Sequence, residues 1–341
     1  MVTPAAALRI VFFGTPDFAV PTLNALLASR HMVVGVVTQP DRPSGRGQRL
    51  RRSPVTEVAK AHDLTLLQPE RLRNESFLSS LRDLNADLGV VAAYGNILTD
   101  AVLQIPRLGL INVHASLLPK YRGAAPIHRA VMAGETKTGV TVMRVVKAVD
   151  AGPMLSAVSR AIGPEETSVD VERDLARLGA AALVAAVDAL STGTATDIPQ
   201  DESAATYAHK LHTPDGVINW SAPAHTIHDQ IRGLHPWPHA YSELEGMRCL
   251  VLESRADRTQ IAATSLRPDV DGQEVVPDAD APDPGTIVEA NGDHLRVQTG
   301  DGVLRILRLQ LQGRRAVSTR EFLAGHPLRP GAMFTASRAG S

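Results

Sequence analysis

The sequence predicts an α/β fold: a mostly parallel sheet built from β-α-β units over residues 1–190, then a smaller β-rich domain over 206–341 with the strand spacing of an OB-like barrel. Three observations predict it. Short Val- and Ile-rich runs alternate with amphipathic segments through the first half of the chain. Composition then shifts at Ser191–Ala205, where Ser, Thr, Gly, Asp and Pro accumulate, so 191–205 is expected to be a linker. Beyond it, short strand-like runs follow one another between Gly turns.

Each element has its own signal. Arg9–Gly14 reads as the first strand and Val20–Ser29 as the helix after it. Met32–Thr38 is a second strand, rich in valine as a strand covered on both faces must be. Ser53-Pro54 joins a capping hydroxyl to a proline at the first helical position and opens a helix to about His62. Leu64–Leu67, Leu88–Ala92 and Leu110–His114 supply further strands, Asn74 caps a helix to about Leu84, and Ala124–Met132 has helical periodicity. Thr138–Val146 and Met154–Arg160 are β-rich with Asp150-Ala151-Gly152 between them, which predicts an antiparallel pair. Ser168–Leu190 is a long Ala- and Leu-rich helix. In the second domain a helix at Ala224–Leu234 precedes strands at Arg248–Glu253, Gly285–Ala290, His294–Thr299 and Val303–Gln312, with an acidic, proline-bearing loop at Arg255–Pro284.

Composition narrows the function classes. A chain of 341 residues that is 44% hydrophobic and 21% charged reads as globular, and its apolar runs are expected to be too short to span a bilayer. The start lacks the charged n-region and cleavage site of a secretory signal, so a cytoplasmic location and no membrane partner are expected. Cys249 is the only cysteine, which excludes an intrachain disulfide and a Cys-based zinc cluster. His228 and His235 lack a third ligand, so no metal is expected. With a net charge of −1, a nucleic-acid partner would have to be held by local basic patches.

The first turn, Gly14-Thr15-Pro16-Asp17, lacks the second and third glycines of the dinucleotide fingerprint, which argues against NAD. Asn112-Val113-His114 carries more information. Alternation along a strand puts Asn112 and His114 on one side, roughly 7 Å apart at Cα, near the carboxyl end of a central parallel strand where open α/β sheets place their ligand crevice. An amide is a neutral donor suited to an oxyanion, and imidazole exchanges protons near neutral pH. A polar strand end tied to neighbouring loops would carry the same residues.

Ser116-Leu117-Leu118-Pro119 and Arg122-Gly123-Ala124-Ala125-Pro126 follow, and with Asn112-x-His114 before them they resemble the active-site segment of the 10-formyltetrahydrofolate-dependent formyltransferase family. The resemblance runs from about Leu8 to about Leu328. It implies a Rossmann-like formyltransferase domain followed by the smaller OB-like domain, with 10-formyltetrahydrofolate as formyl donor and no metal. It also implies a catalytic set of Asn112, His114 and Asp150, the last within Val149-Asp150-Ala151-Gly152-Pro153. Taken alone, an Asp before Ala-Gly is a turn former. On the implied mechanism Asn112 donates to the oxyanion, Asp150 orients His114, and His114 either joins Asn112 or helps move the proton lost by the attacking amine. The folate is expected against backbone groups of Val91–Asn96, including Val91 and Tyr94, and of Val142–Val149, with Ser116, Leu117, Leu118 and Pro119 flanking it.

The segment Gln39–Arg52 carries five arginines against one acid, a balance that fits a solvated basic loop or a contact with RNA phosphates. Gln39-Pro40-Asp41-Arg42-Pro43 with Gly45-Arg46-Gly47 is similar to the inserted loop of those family members that act on tRNA, with Arg42 at the place of the key arginine. Thr206–Lys210, Asp215–Trp220 and Arg232–Pro238 are similar to the same members. This implies Arg42, Arg46 and Arg49 as tRNA-binding residues in a monomer. The implied reaction formylates the α-amino group of methionine on initiator tRNA for translation initiation. Gln48 and Arg51-Arg52 depart from the lysine-rich continuation of that loop. Arg296, Arg305, Arg308, Arg314, Arg315 and Arg320 are expected as a basic stripe toward tRNA, and Trp220 and Trp237 as packing residues.

Overall fold

A computed structural model of the chain describes residues 7–44, 49–257 and 282–335. Its contacts divide it into two compact units. The first comprises the chain through Ile127, Lys137–Ala161 and Asp170–Lys210; the second comprises His128–Thr136, Ile162–Val169 and the chain from Leu211 onward.

In chain order the elements up to residue 210 are β1 (Arg9–Gly14), α1 (Val20–Leu27), β2 (Met32–Val37), β3 (Arg42–Ser44), β4 (Arg49–Arg51), α2 (Pro54–Ala61), β5 (Leu66–Leu67), α3 (Glu75–Asp83), β6 (Leu88–Ala92), α4 (Asp100–Leu103), β7 (Leu110–His114), β8 (Arg122–Gly123), α5 (Pro126–Met132), β9 (Lys137–Arg144), β10 (Met154–Ala161), α6 (Ser168–Thr192) and β11 (Tyr207–Ala208). The main sheet of the first unit has the order β10-β9-β7-β6-β1-β2-β5. Strands β7, β6, β1, β2 and β5 are parallel, and β9 and β10 extend the sheet antiparallel. Since β1 lies between β2 and β6, the winding direction reverses there, which is where open α/β sheets place a ligand crevice, beyond the carboxyl ends of the strands. Strand β6 is buried at every position, which explains its unbroken apolar sequence.

The predicted caps form. Ser53 Oγ accepts from the Thr56 N–H at 3.0 Å to open α2, and Asn74 Oδ1 accepts from the Ser76 N–H at 3.0 Å to open α3. Helix α6, 25 residues long, is long and apolar enough by length and composition to cross a membrane, contrary to the expectation that no such stretch exists. That apolar sequence serves the core of the first unit: Val171, Leu175, Leu183 and Val187 have no exposed surface.

Residues 191–205 do not behave as the expected linker. Ile198 pairs with Met154 through two backbone hydrogen bonds of 2.7 and 2.8 Å, and Gln200 reaches the carbonyls of Asp150 and Gly152. A Ser/Thr/Gly/Pro-rich composition marks irregular backbone, and irregular backbone can still be tied down.

The second unit is built on α7 (Ala224–Gly233), β12 (Ala240–Leu244), β13 (Met247–Asp257), β14 (Ile287–Asn291), β15 (His294–Gln298), β16 (Val303–Leu311), β17 (Val317–Ser318), α8 (Thr319–Gly325) and β18 (Phe334–Thr335). Its antiparallel sheet has the order β14-β15-β16-β13-β12-β18, with β17 also on β16, consistent with an OB-like half-barrel. Strand β12 was not anticipated, because Pro236 and Pro238 mask its start; it turns into β13 at Glu245-Gly246, both at positive φ as a tight hairpin requires. The acidic loop expected at Arg255–Pro284 begins later, since Arg255–Asp257 belong to β13, and most of its remainder lies outside the described residues. Trp220 is packed as expected, buried against Phe334 with its indole N–H on Ser242 Oγ at 2.9 Å. Trp237, at 54% exposed, is not.

Candidate active site

Strand β7 ends in Asn112-Val113-His114, so Asn112 and His114 share one face of the sheet at its carboxyl edge. The Asn112 side-chain amide has no protein hydrogen-bond partner among the described residues, and its carboxamide is not closed off in the core. His114, by contrast, is held on both sides. Its Nε2 lies 3.0 Å from the Tyr121 carbonyl; because a carbonyl only accepts, Nε2 carries the hydrogen. Its Nδ1 faces Asp150 Oδ2 at 3.6 Å, ion-pair distance but longer than a hydrogen bond. Both side chains are largely buried, at 6% and 14% exposed, so their interaction is little screened by water.

Asp150 is placed by its surroundings. It sits in the left-handed region at φ 52°, and its Oδ2 accepts the Gly123 N–H at 2.9 Å. A Cβ on Gly152 would collide with the Arg144 carbonyl, so this turn closes tightly against β9. Two residues that sequence reasoning passed over complete the arrangement. Gln200 donates to the Asp150 and Gly152 carbonyls, and Glu202 pairs with the buried Arg122 guanidinium at 2.7 Å. The Glu202 hydrogen bond holds Arg122 more firmly protonated, and Arg122 in turn draws the Glu202 carboxyl below the usual range. No local pattern could have revealed these contacts, because the partners lie 48 to 80 residues apart.

The residues expected around the folate divide. Ser116 is buried, and its hydroxyl donates to the Lys120 carbonyl at 2.6 Å while its own carbonyl accepts from Thr141. It therefore closes the Ser116–Lys120 turn instead of offering a donor to a ligand. Leu118 is buried behind a cis Leu118–Pro119 bond, whereas Leu117 and Pro119 are partly exposed. Val91 and Tyr94 turn their side chains into the core, where Tyr94 meets Phe13 edge-on; burial pushes its phenol up, with Asn96 opposing the shift. Only backbone groups of Val91 and Tyr94 are thus left for a ligand, and the Tyr94 carbonyl already accepts from Thr15 Oγ1 at 3.0 Å and Gln39 Nε2 at 3.3 Å. A cleft of about 640 Å³ lies beside this stretch, lined by Arg71, Arg73, Asn96–Asp100 and Lys147. Thr99 Oγ1 is buried at its edge without a partner. Asn112, His114 and Asp150 do not line that cleft.

In the arginine loop, Arg42 is exposed and lies in β3, opposite Arg51 of β4. Arg49 is in β4, and Arg46 lies outside the described residues. Gln68 anchors the loop's start, donating to Asp41 Oδ1 at 2.9 Å and the Gln39 carbonyl at 3.1 Å. In the second unit Arg296, Arg305 and Arg255 occupy facing positions on β15, β16 and β13. They are not free cations: Glu289, Asp293 and Glu165 lie at 3.4, 3.5 and 3.5 Å. The expected stripe is therefore partly neutralised. His228 bonds Ser254 Oγ and the Pro164 carbonyl, and no metal-holding group of His, Cys, Asp or Glu occurs among the described residues.

Residues 8–187 match the Formyl transferase family and residues 210–327 the family Formyl transferase, C-terminal domain. The chain is 47% identical over 306 residues to the methionyl-tRNA formyltransferase of Stutzerimonas stutzeri (strain A1501), covering 90% of this chain and 91% of that protein. This chain belongs to the methionyl-tRNA formyltransferase family. The enzyme of that name from Ectopseudomonas mendocina (strain ymp) is 46% identical, with the same coverage of both chains. Among solved structures, WlaRD, a sugar 3N-formyl transferase, superposes with a TM-score of 0.63 at 15% identity, over 91% of this chain and 100% of that one. The N-formyltransferase from Helicobacter canadensis gives 0.64 at 15% identity, over 88% and 98%. At such identities these two establish the shared fold.

Proposed function

We propose that this protein transfers a formyl group from 10-formyltetrahydrofolate to the α-amino group of methionine esterified to initiator tRNA, preparing it for translation initiation in the cytoplasm. One observation carries the reading: an imidazole clamped between a carbonyl and a carboxylate, on the same strand face as the unpartnered Asn112 amide. The names of the 46–47% identical relatives supply the substrate.

The folate donor supplies the activated formyl group. Attack by the amine pushes negative charge onto the formyl oxygen, and the Asn112 N–H is the neutral donor that receives it. With the His114 Nε2 hydrogen committed to Tyr121, Nδ1 takes the proton lost by the attacking amine, and Asp150 stabilises the imidazolium so formed. The same proton returns to the folate nitrogen as the oxyanion collapses and the bond from that nitrogen to the formyl carbon breaks, leaving the new amide and free tetrahydrofolate. The buried, unpartnered Thr99 hydroxyl and the cations Arg71 and Arg73 suit the cleft beside β6 to a polar, anionic part of the folate remote from its formyl group, since Asn112, His114 and Asp150 lie outside that cleft and Lys147 within it is paired with Asp100 at 3.6 Å. Arg42, Arg46 and Arg49 would take tRNA phosphates and unpaired end bases.

A single-turnover assay with isotopically labelled formyl donor tests the assignment against three acceptors: charged initiator tRNA, a small amine, and water. Label on the tRNA supports it. Label passing equally well to the small amine, or released as formate, overturns it.

A further inference from the structure

We propose that Gln200 is a positioning residue for this transfer, holding the Asp150–Gly152 turn so that the Asp150 carboxylate stays against His114. The inference rests on the functional reading above. The turn needs an external hold, because Asp150 adopts φ 52°, a conformation disfavoured for an L residue with a Cβ. Gln200 Nε2 provides it, donating to the Asp150 carbonyl at 2.8 Å and the Gly152 carbonyl at 2.7 Å. On the other side of the same amide, Oε1 accepts from Arg122 Nε at 3.1 Å and Nη2 at 2.8 Å. Both hydrogens and both lone pairs of the amide are thereby used.

The geometry closes a circuit. Arg122 stands between Tyr121, whose carbonyl takes the His114 Nε2 hydrogen, and Gly123, whose N–H holds Asp150 Oδ2. Gln200 therefore touches the backbone that carries Asp150 and the side chain between the two residues that clamp the catalytic pair. It meets none of the reacting groups itself, so its effect on chemistry passes through Asp150 and His114.

Only an amide fits both sides. In Gln200→Glu the shape and the Arg122 contact persist, but a carboxylate oxygen would face two carbonyl oxygens with no hydrogen between them, which releases the turn. Gln200→Met keeps the length and supplies neither donor nor acceptor.

The test uses the full-length chain with 10-formyltetrahydrofolate and charged initiator tRNA, together with the ¹⁵N chemical shifts of the His114 ring nitrogens at fixed pH. For Gln200→Glu we expect kcat to fall about 10- to 100-fold while both KM values stay within about twofold, as misplacement of a catalytic group predicts. The His114 ring shifts should move as well. Should Gln200→Glu fail to fold, Gln200→Met gives the same two readouts. Unmoved ring shifts overturn the proposal, and so does a loss carried by KM alone. A wild-type chain that formylates no tRNA sinks the functional reading, whereas the ring shifts judge the positioning by themselves.

Discussion

Asn112 and His114 stand two residues apart on one strand, and that spacing brings a neutral donor and a proton carrier to the same face of the sheet. Their roles separate experimentally. Asn112→Ala should lower kcat by roughly 10²- to 10³-fold, the usual cost of removing one oxyanion donor, while filter binding shows tRNA affinity intact. Loss of tRNA binding in step with kcat would contradict the oxyanion role. Among the residues outside the site, Cys249 makes a sharp prediction. Burial pushes its thiol up to about 12, so the native protein should ignore thiol reagents near pH 8 and react only once unfolded. The same shift has a sign for stability. An unfolded cysteine ionises near about 8.5, so as pH climbs above that value thiolate formation favours the unfolded chain, and the folded state loses stability progressively toward the buried value. A denaturation midpoint that rises between pH 9 and 11 would contradict this.

Strand β7 is held in place by helix α6. A Cβ on Gly179 of α6 would lie 2.7 Å from Val113 Cγ1 and 3.3 Å from Val140 Cγ1, so this glycine lets the helix approach the strand that carries Asn112 and His114. Gly179→Val should therefore cost about 1–3 kcal/mol through overpacking, read as a lower urea midpoint, with kcat reduced because β7 shifts. An unchanged midpoint would mean that the helix can move aside freely. Element by element, the sequence was most legible where a signal is local: Ser53-Pro54 and Asn74 open helices because a capping oxygen and the first turn lie within a few residues. It was least legible at β8 and β11, two-residue strands that pair across 85 positions, Arg122 with Tyr207 and Gly123 with Ala208. A two-residue strand carries no periodicity to read.

For the molecule as a whole, a chain of net charge −1 can meet tRNA only through local cationic surface, and Arg42, exposed on β3, is the residue on which the proposed tRNA contact can be tested. Arg42→Ala should weaken productive tRNA use and lower the slope of log kcat/KM against log salt by about 1, leaving the KM for the folate donor unchanged. An unaltered salt slope would remove Arg42 from the contact. From the sequence alone came the longer strands and helices, the placing of Asn112 and His114 on one face, and the family to which their motif points, because each depends on periodicity or on residues close together in the chain. Tertiary structure alone decided that Tyr121, Gly123, Arg122 and Gln200 enclose His114 and Asp150, and that 191–205 is tied to the first unit. Apart from the Arg122–Gln200 pair, those contacts are hydrogen bonds to backbone groups, most of them joining residues far apart along the chain. Any residue has a carbonyl or N–H to offer, so the side-chain sequence leaves no mark of which ones are used.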